Sequence, residues 1–137
     1  MEKIIIYQVL PRLFGNKNRT CKPGGTLAEN GCGKFNNFTP KVLKGLREAG
    51  YSHVWYTGVV RHATQTDYSS HGIPRQHPAV VKGIAGSPYA IADYYDTDPD
   101  LAVDVDKRME EFEKLVARTH RAGLKAVIDF VPNHVAR

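Results

Sequence analysis

Three polar residues cluster where one apolar segment of the sequence ends. Asp129 lies within the apolar stretch 124–131, and Asn133 and His134 follow it four and five residues later, after Pro132. A buried aspartate is costly unless its oxygens accept hydrogen bonds, so Asp129 is expected to order the groups around it. An amide and an imidazole at a strand end could hydrogen-bond a ligand, although this histidine could equally be a loop residue without a task.

A second group of polar and aromatic residues lies upstream, in the stretch 86–99. It contains Tyr89, Asp93, Tyr94 and Tyr95. Flat apolar rings stack on the C–H faces of sugars, and carboxylates accept hydrogen bonds from hydroxyl groups. The pattern therefore favours a sugar-binding loop. A plainer alternative is that Tyr94 and Tyr95 close the loop over the fold, and for Tyr95 this interpretation is preferred.

Regular structure must hold these candidate residues in place, and hydrophobic periodicity predicts that structure. Continuous apolar runs predict strands buried on both faces, whereas apolar residues three and four positions apart predict amphipathic helices. Thr39 with Pro40 supplies one helix start, and Asp104 is expected to cap the last helix. In order, the predicted elements are a strand over 4–10, a helix from 40 to Gly50, a strand over 52–60, a helix from 105 to Gly123 and a strand over 124–131.

The stretch 61–103, between the second strand and the last helix, shows no strong period. It contains four prolines and three of the six histidines. A structureless segment of this length is uncommon inside a compact domain, where it is usually a functional loop or a small excursion. We therefore predict a long loop excursion after the second strand.

The alternation of strands and helices predicts an α/β fold built from parallel β/α units. In such folds the loops at the carboxyl ends of the strands bind ligands, and both candidate groups fall in such loops. The chain has 137 residues, far fewer than the roughly 250 of a complete α/β barrel, and three parallel strands alone would leave unpaired edges. The chain is therefore expected to be part of a larger fold.

Composition argues against several classes of protein. The chain is 42% apolar with a net charge of +5, which suits a folded globular chain. The sequence contains no run of about 18 apolar residues, the length that spans a bilayer, so no membrane partner is expected. Its lysines and arginines are scattered singly, so no nucleic-acid partner is expected either. No secretory signal is visible and Cys21 and Cys32 need no bridge, which indicates a cytoplasmic protein, or a secreted or periplasmic one if a signal has been removed.

Four motifs cover most of the chain. They are YQVLPRLF at 7–14, GYSHVWYT at 50–57, SPYAIADYYDTDP at 87–99 and DFVPNH at 129–134. In this order they resemble the first barrel strand, the approach to the second strand, the segment with a sugar-stacking tyrosine and the D-x-x-x-N-H motif of the α-amylase family, glycoside hydrolase family 13. The resemblance implies the first three strands of a TIM (β/α)8 barrel, with residues 1–137 as the N-terminal part of the catalytic domain.

The resemblance also implies roles for individual residues. His134 would hydrogen-bond a hydroxyl of the glucosyl unit being cleaved, and Tyr89 would stack beneath that sugar. Asp129 would orient Asn133 and His134, and Asp93 would give structural support. Asn133 matches a position that contributes a calcium ligand in calcium-dependent members, so a structural calcium ion is the one cofactor implied.

The implied reaction is retaining cleavage or transfer at the α-glucosidic bonds of starch-like glucans and malto-oligosaccharides. Such chemistry needs a nucleophilic and an acid/base carboxyl about 5–5.5 Å apart. In the family both come from later strands, so no catalytic residue is assigned here. The chain alone is expected to be inactive and to need the remainder of the barrel as its partner. A transglycosylase and a non-catalytic glucan-binding or scaffold protein stay open as alternatives.

Two further alternatives rest on other residues. His62, Asp67, His71 and His77 have metal-ligand chemistry, but their spacing matches no tight motif. A nucleotide-binding α/β domain would need a glycine-rich loop that joins a strand to a helix, and the glycines of 24–33 follow no predicted strand. The sequence therefore favours the glucan-binding interpretation over both.

Overall fold

A computed structural model describes residues 2–136 and contains two sheets. The strands are β1 (Ile6–Val9), β2 (His53–Tyr56), β3 (Val60–His62), β4 (Ile91–Thr97) and β5 (Lys125–Ile128). The first sheet is parallel with the order β1-β2-β5, and the second pairs β3 with β4 in antiparallel fashion. In the parallel sheet His53 pairs with Ile6 on one side and with Lys125 on the other. The predicted parallel arrangement of the three strands is confirmed.

Three α-helices accompany the strands. They are α1 (Leu27–Asn30), α2 (Pro40–Glu48) and α3 (Arg108–Arg121). The start of α2 is as predicted, because the Thr39 hydroxyl accepts a hydrogen bond from a backbone amide of the first turn. Asp104 caps a short 3-10 turn through the amide of Asp106, so α3 itself begins later, at Arg108. None of the helices within residues 2–136 has the length and apolar character needed to cross a membrane.

The core lies between one face of the parallel sheet and helices α2 and α3. Leu43 of α2, Leu115 of α3 and Val54 of β2 are completely buried there. Tyr56 is also completely buried, and its hydroxyl oxygen lies 2.7 Å from Oγ1 of Thr119 on α3. This contact matters because an unpaired polar group in a core costs about 1–3 kcal/mol. The core therefore fixes the strands, and with them the strand ends, relative to α3.

Both edges of the parallel sheet are open within residues 2–136. There β1 and β5 each pair with β2 alone. Apolar side chains beside these edges are accessible to solvent, with Ile6 49%, Ile128 43% and Phe130 74% exposed. Folded proteins usually cover unpaired strands and apolar patches of this kind. The sheet therefore has the features expected of one part of a larger sheet.

The predicted strand over 52–60 is wrong as a single element. β2 ends at Tyr56, and β3 begins at Val60 in the other sheet. Between them Gly58 adopts a φ of +81°, a left-handed conformation that interrupts an extended chain. Because apolar residues continue on both sides of this glycine, hydrophobicity alone does not reveal the break. The predicted outer strands likewise shorten to β1 and β5.

The excursion, residues 61–103, is more regular than predicted. It contains most of β3, all of β4 and several 3-10 turns. His62 of β3 pairs with Ile91 of β4, and the register shifts twice along the three residues of β3. A strand this short and irregular leaves no detectable periodicity in the sequence. The excursion is therefore a small folded unit at the end of β2 rather than a structureless loop.

Candidate functional site

Asp129 lies directly after β5 and is bound to the end of β2. Its Oδ1 accepts a hydrogen bond from the indole nitrogen of Trp55 at 2.9 Å, and its Oδ2 accepts one from the amide of Gly58 at 3.1 Å. Hydrogen bonds to an ionised carboxylate are stronger than neutral ones. Asp129 therefore connects the carboxyl ends of β2 and β5.

Replacing Asp129 with alanine is expected to lower the free energy of unfolding by about 2–3 kcal/mol, because two donors lose a charged acceptor. Asp129→Asn keeps one acceptor oxygen and should cost less. Urea unfolding followed by the fluorescence of Trp55, the only tryptophan, measures both variants. An unchanged midpoint for Asp129→Ala would contradict the connecting role.

Asn133 and His134 lie beyond Asp129 on an exposed turn. Asn133 Oδ1 is 2.9 Å from His134 Nδ1, so the two side chains pair with each other. Asp129 directs its own hydrogen bonds to Trp55 and Gly58 rather than to this pair. Any orienting effect of Asp129 on the pair must therefore pass through the main chain.

Tyr89 lies in the turn before β4, and its side chain is 42% exposed. Two residues further along, the carbonyl oxygen of Ile91 accepts a hydrogen bond from the amide of Ala136 at 2.7 Å. Ala136 in turn follows His134 by two residues. This backbone hydrogen bond therefore brings together the two segments that carry Tyr89 and His134.

A cavity of about 200 Å³ opens at the carboxyl ends of β1 and β2. Leu10 and Thr57, which directly follow these strands, line it together with Pro88, the chain neighbour of Tyr89. Larger cavities of about 460 and 740 Å³ lie beside the loop 12–34, and none of the predicted sugar-site residues lines either of them. Parallel β/α folds bind ligands at the carboxyl ends of their strands, so the smaller cavity adjoins the candidate site.

Tyr94 and Tyr95 differ although they are neighbours on β4. Tyr95 is 93% exposed, so within residues 2–136 it does not close the loop as expected. The hydroxyl oxygen of Tyr94 lies 2.5 Å from the carbonyl oxygen of Val131 and 3.2 Å from that of His134. Successive side chains on a strand point to opposite faces, which explains the difference. Tyr94 is the residue that connects β4 to the turn with Asn133 and His134.

Asp93 stabilises the pairing of β3 with β4. Its Oδ2 accepts a hydrogen bond from Nη2 of Arg61 at 2.9 Å, and its Oδ1 accepts one from the amide of Tyr95 at 2.9 Å. The Tyr95 amide, followed by Arg61, holds the pKa of Asp93 below its usual range. Asp93 is thus engaged within the excursion and reaches the candidate site only through β4.

A buried charged cluster that the sequence analysis missed joins the loop after β1 to the excursion. Asp98 and Asp100 are 1% and 0% exposed, and Arg12 forms ion pairs with both carboxylates. Tyr68 donates a hydrogen bond to Asp100, and Nε2 of His62 lies 3.7 Å from Oδ2 of Asp98. A single arginine and two members of an acidic stretch resemble solvated surface charges, so the sequence carries little signal for this cluster.

Burial has different effects on the members of this cluster. It raises the pKa of Asp98 to about 6, although the charges of His62 and Arg12 oppose the change. Burial by itself would lower the pKa of Arg12, but Asp100 and Asp98 raise that pKa above its ordinary value. Burial and the charge of Asp100 raise the pKa of the Tyr68 hydroxyl. Arg12 therefore stays charged and Tyr68 stays neutral near pH 7, as a structural cluster requires.

Side chains with metal-ligand chemistry do not converge in the described part of the chain. Among residues 2–136, no three His, Cys, Asp or Glu residues are placed to hold an ion. His62 faces two backbone carbonyl oxygens and His71 pairs with Asp106 at 2.8 Å, so the alternative metal site in the excursion is wrong. Asn133, the residue implied as a calcium ligand, has its Oδ1 2.9 Å from Nδ1 of His134. One amide oxygen by itself cannot hold a calcium ion, so a structural calcium ion stays a prediction.

Comparison with known proteins shows which family this chain resembles. The family model for the alpha amylase, catalytic domain, matches residues 8–137. Maltase A1 of Drosophila melanogaster is 29% identical over 105 residues, which are 77% of this chain and 14% of that protein. The amino acid transporter heavy chain SLC3A1 of Homo sapiens is 44% identical over 48 residues, which are 35% of this chain and 6% of that protein.

A solved structure agrees with the sequence matches. The maltogenic alpha-amylase AmyB of Thermotoga neapolitana has a TM-score of 0.58 and 25% identity, covering 93% of this chain and 22% of that one. The chain thus spans less than a quarter of the length of each of these three relatives. Since the family model covers almost every residue, the chain belongs to the alpha-amylase catalytic domain family.

Proposed function

We propose that residues 1–137 form the first three strands, with the two helices between them, of the catalytic barrel of an α-glucan-active, retaining glycoside hydrolase. The open edges of β1 and β5 support this proposal, because later strands of a barrel would pair with them. Exposed Ile6 and Phe130 would be covered by the same strands. The remainder of the barrel is thus the first partner of this chain.

Within that barrel, Tyr89 and His134 contact one glucosyl unit of the substrate. The observation that carries this assignment is the 2.7 Å hydrogen bond from Ala136 to Ile91, which holds the segments of the two residues together. The half-exposed ring of Tyr89 offers an apolar face to the C–H face of a sugar. The exposed imidazole of His134 can hydrogen-bond a hydroxyl, with Asn133 at 2.9 Å setting its orientation.

These residues contribute to binding and orientation rather than to bond breaking. In retaining hydrolysis a carboxylate attacks the anomeric carbon while a carboxylic acid protonates the leaving oxygen, and water then hydrolyses the glycosyl-enzyme. Tyr89 and His134 hold the sugar ring so that its anomeric carbon meets those carboxyl groups. Both carboxyl groups are assigned to later strands, so we expect the purified chain to release no reducing sugar from starch or maltoheptaose.

Titration of the 137-residue chain with maltoheptaose, followed by NMR, tests the binding assignment. We expect signals of Tyr89 and His134 to shift on binding. Tyr89→Ala and His134→Ala should each weaken binding about fivefold to tenfold, since a stacking contact or a hydrogen bond contributes about 1 kcal/mol. Tyr95→Ala is the matched control, because this tyrosine on the adjoining strand is 93% exposed and should leave binding unchanged.

Two results would contradict the proposal. If Tyr89→Ala and His134→Ala bind maltoheptaose as tightly as the Tyr95→Ala control, Tyr89 and His134 are not the binding residues. Release of reducing sugar by the purified chain would show that its own side chains suffice for catalysis, which the assignment to later strands excludes.

A second candidate function is a non-catalytic glucan-binding or scaffold protein. It is favoured by the 44% identity over 48 residues with a relative named as an amino acid transporter heavy chain. Sequencing the reading frame past Arg137 separates the two candidates. Further β/α units with an aspartate and a glutamate at later strand ends would support the enzyme, whereas β/α units without them would support the scaffold. Analysis of the products from maltoheptaose then separates hydrolysis from transglycosylation.

A further inference from the structure

The turn that carries Asn133 and His134 is attached to β4 at both of its ends. The hydroxyl oxygen of Tyr94 lies 2.5 Å from the carbonyl oxygen of Val131, just before the turn, and 3.2 Å from the carbonyl oxygen of His134, at the end of the turn. One hydroxyl group therefore spans the turn. The backbone hydrogen bond from Ala136 to Ile91 adds a second attachment just beyond it.

The strand on the other side of these contacts is itself firmly held. Arg61 of β3 donates a hydrogen bond to Asp93 at 2.9 Å and lies 3.0 Å from Oδ2 of Asp96. Arg108, at the start of α3, donates two hydrogen bonds to the same Asp96 carboxylate, at 2.7 and 3.0 Å. Such bidentate pairs restrict orientation as well as distance. β4 is therefore a fixed support between β3 and α3, against which the exposed turn can be positioned.

We propose that Tyr94 is a positioning residue for the sugar-contacting His134, a role that rests on the function proposed above. The turn is exposed, and the pairing of Asn133 with His134 orients the imidazole only relative to that turn. Tyr94 fixes the position of the turn relative to β4, because its hydroxyl group hydrogen-bonds the carbonyl oxygens of Val131 and His134. A site that must bind one sugar ring between two segments needs such a fixed distance.

The hydroxyl group can be tested separately from the ring. The ring of Tyr94 packs against Phe130 with centroids 5.7 Å apart, and Tyr94→Phe keeps this contact while removing the hydrogen bonds. Tyr95→Phe is the matched control, since it removes the same group from the neighbouring, 93% exposed tyrosine. The two variants therefore differ only in whether the lost hydroxyl reaches the turn.

The first experiment uses NMR on the 137-residue chain without ligand. In Tyr94→Phe we expect the ring signals of His134 to shift and the Ala136 amide to exchange about fivefold to tenfold faster, because a lost hydrogen bond of about 1 kcal/mol loosens the segment. The protected amides of β2 should exchange as before, which shows that the fold is intact. Unchanged His134 signals and Ala136 exchange in Tyr94→Phe, as in Tyr95→Phe, would overturn the proposal.

A second readout separates this proposal from the proposed function. Titration with maltoheptaose should show binding to Tyr94→Phe weakened about fivefold to tenfold, by the same lost hydrogen bond, with Tyr95→Phe unchanged. If the unaltered chain binds no maltoheptaose while the His134 and Ala136 signals still respond to Tyr94→Phe, the proposed function fails and the structural role of Tyr94 stands. If Tyr94→Phe binds as tightly as the unaltered chain, the positioning role fails and the glucan site stands.

Discussion

Replacing Arg12 with leucine is expected to lower the free energy of unfolding by about 3 kcal/mol at pH 7. Removal of one partner from a buried ion pair typically costs about 3–5 kcal/mol, and the lower end applies because the Arg12 side chain is 25% exposed. Asp98 and Asp100, at 1% and 0% exposed, would lose their shared cation. Urea unfolding monitored by Trp55 fluorescence measures the loss.

The effect of Arg12→Leu should depend on pH in a defined direction. Burial raises the pKa of Asp98 to about 6 in the folded state, above about 3.9 in an unfolded chain. Stability from this carboxyl is therefore fully present below about pH 4 and is lost as the pH rises through about 6. Arg12 opposes the upward shift, so its removal raises the folded pKa further. The difference between Arg12→Leu and the unaltered chain should thus shrink as the pH falls from 7 to 5.

Arg75→Leu is the matched control for Arg12→Leu. Arg75 also pairs with an aspartate, Asp67 at 3.5 Å, but the two side chains are 70% and 45% exposed. An exposed ion pair of this kind contributes about 0–1 kcal/mol, so little change is expected at any pH between 5 and 7. Equal losses in the two variants, or a loss in Arg12→Leu that does not vary with pH, would contradict the buried cluster as its cause.

Gly86→Ala is expected to destabilise the excursion by about 3 kcal/mol or more, through two effects that add. Gly86 has a φ of +76°, which costs an L-residue about 1–2 kcal/mol. A Cβ atom at this position would also lie 1.8 Å from the carbonyl oxygen of Ala63, so the backbone of one segment must move. Because Gly86 lines the cavity at the strand ends, binding of maltoheptaose should weaken in parallel with the stability.

Gly83→Ala separates these two effects. Gly83 has a φ of +66° in the same segment, but an added Cβ would meet no atom within 4 Å. We therefore expect only the conformational cost of about 1–2 kcal/mol, measured by urea unfolding under the same conditions. A loss in Gly86→Ala no larger than in Gly83→Ala would show that the close approach to Ala63 does not constrain the excursion.

Elements that local physics controls could be predicted from the sequence. Thr39 caps α2 as expected, and Gly50 and Gly123, with φ values of +99° and +80°, follow the ends of α2 and α3. The parallel order of the three main strands followed from the alternation of elements. The break at Gly58 and the pairing of β3 with β4 could not be predicted, because apolar residues continue through the break and β3 has only three residues.

The candidate site was predictable as a set of residue types and not as a set of contacts. One motif placed Asp129, Asn133 and His134 at a strand end, which is where they lie. The partners of Asp129 are instead Trp55 and Gly58, which are 74 and 71 residues away in the chain. No pattern within the motif distinguishes a carboxylate that binds β2 from one that binds its own turn.

By itself the sequence determined the family, the order of the three parallel strands and the two helices between them, and the identities of the candidate site residues, because motifs, caps and periodicity belong to neighbouring residues. Only the tertiary structure decided which polar groups meet. Arg12 reaches Asp100 across 88 residues, and Tyr94 reaches the carbonyl of Val131 across 37. A buried polar group must find a partner wherever the packed chain brings one, and that choice depends on the path of the whole chain rather than on any local pattern.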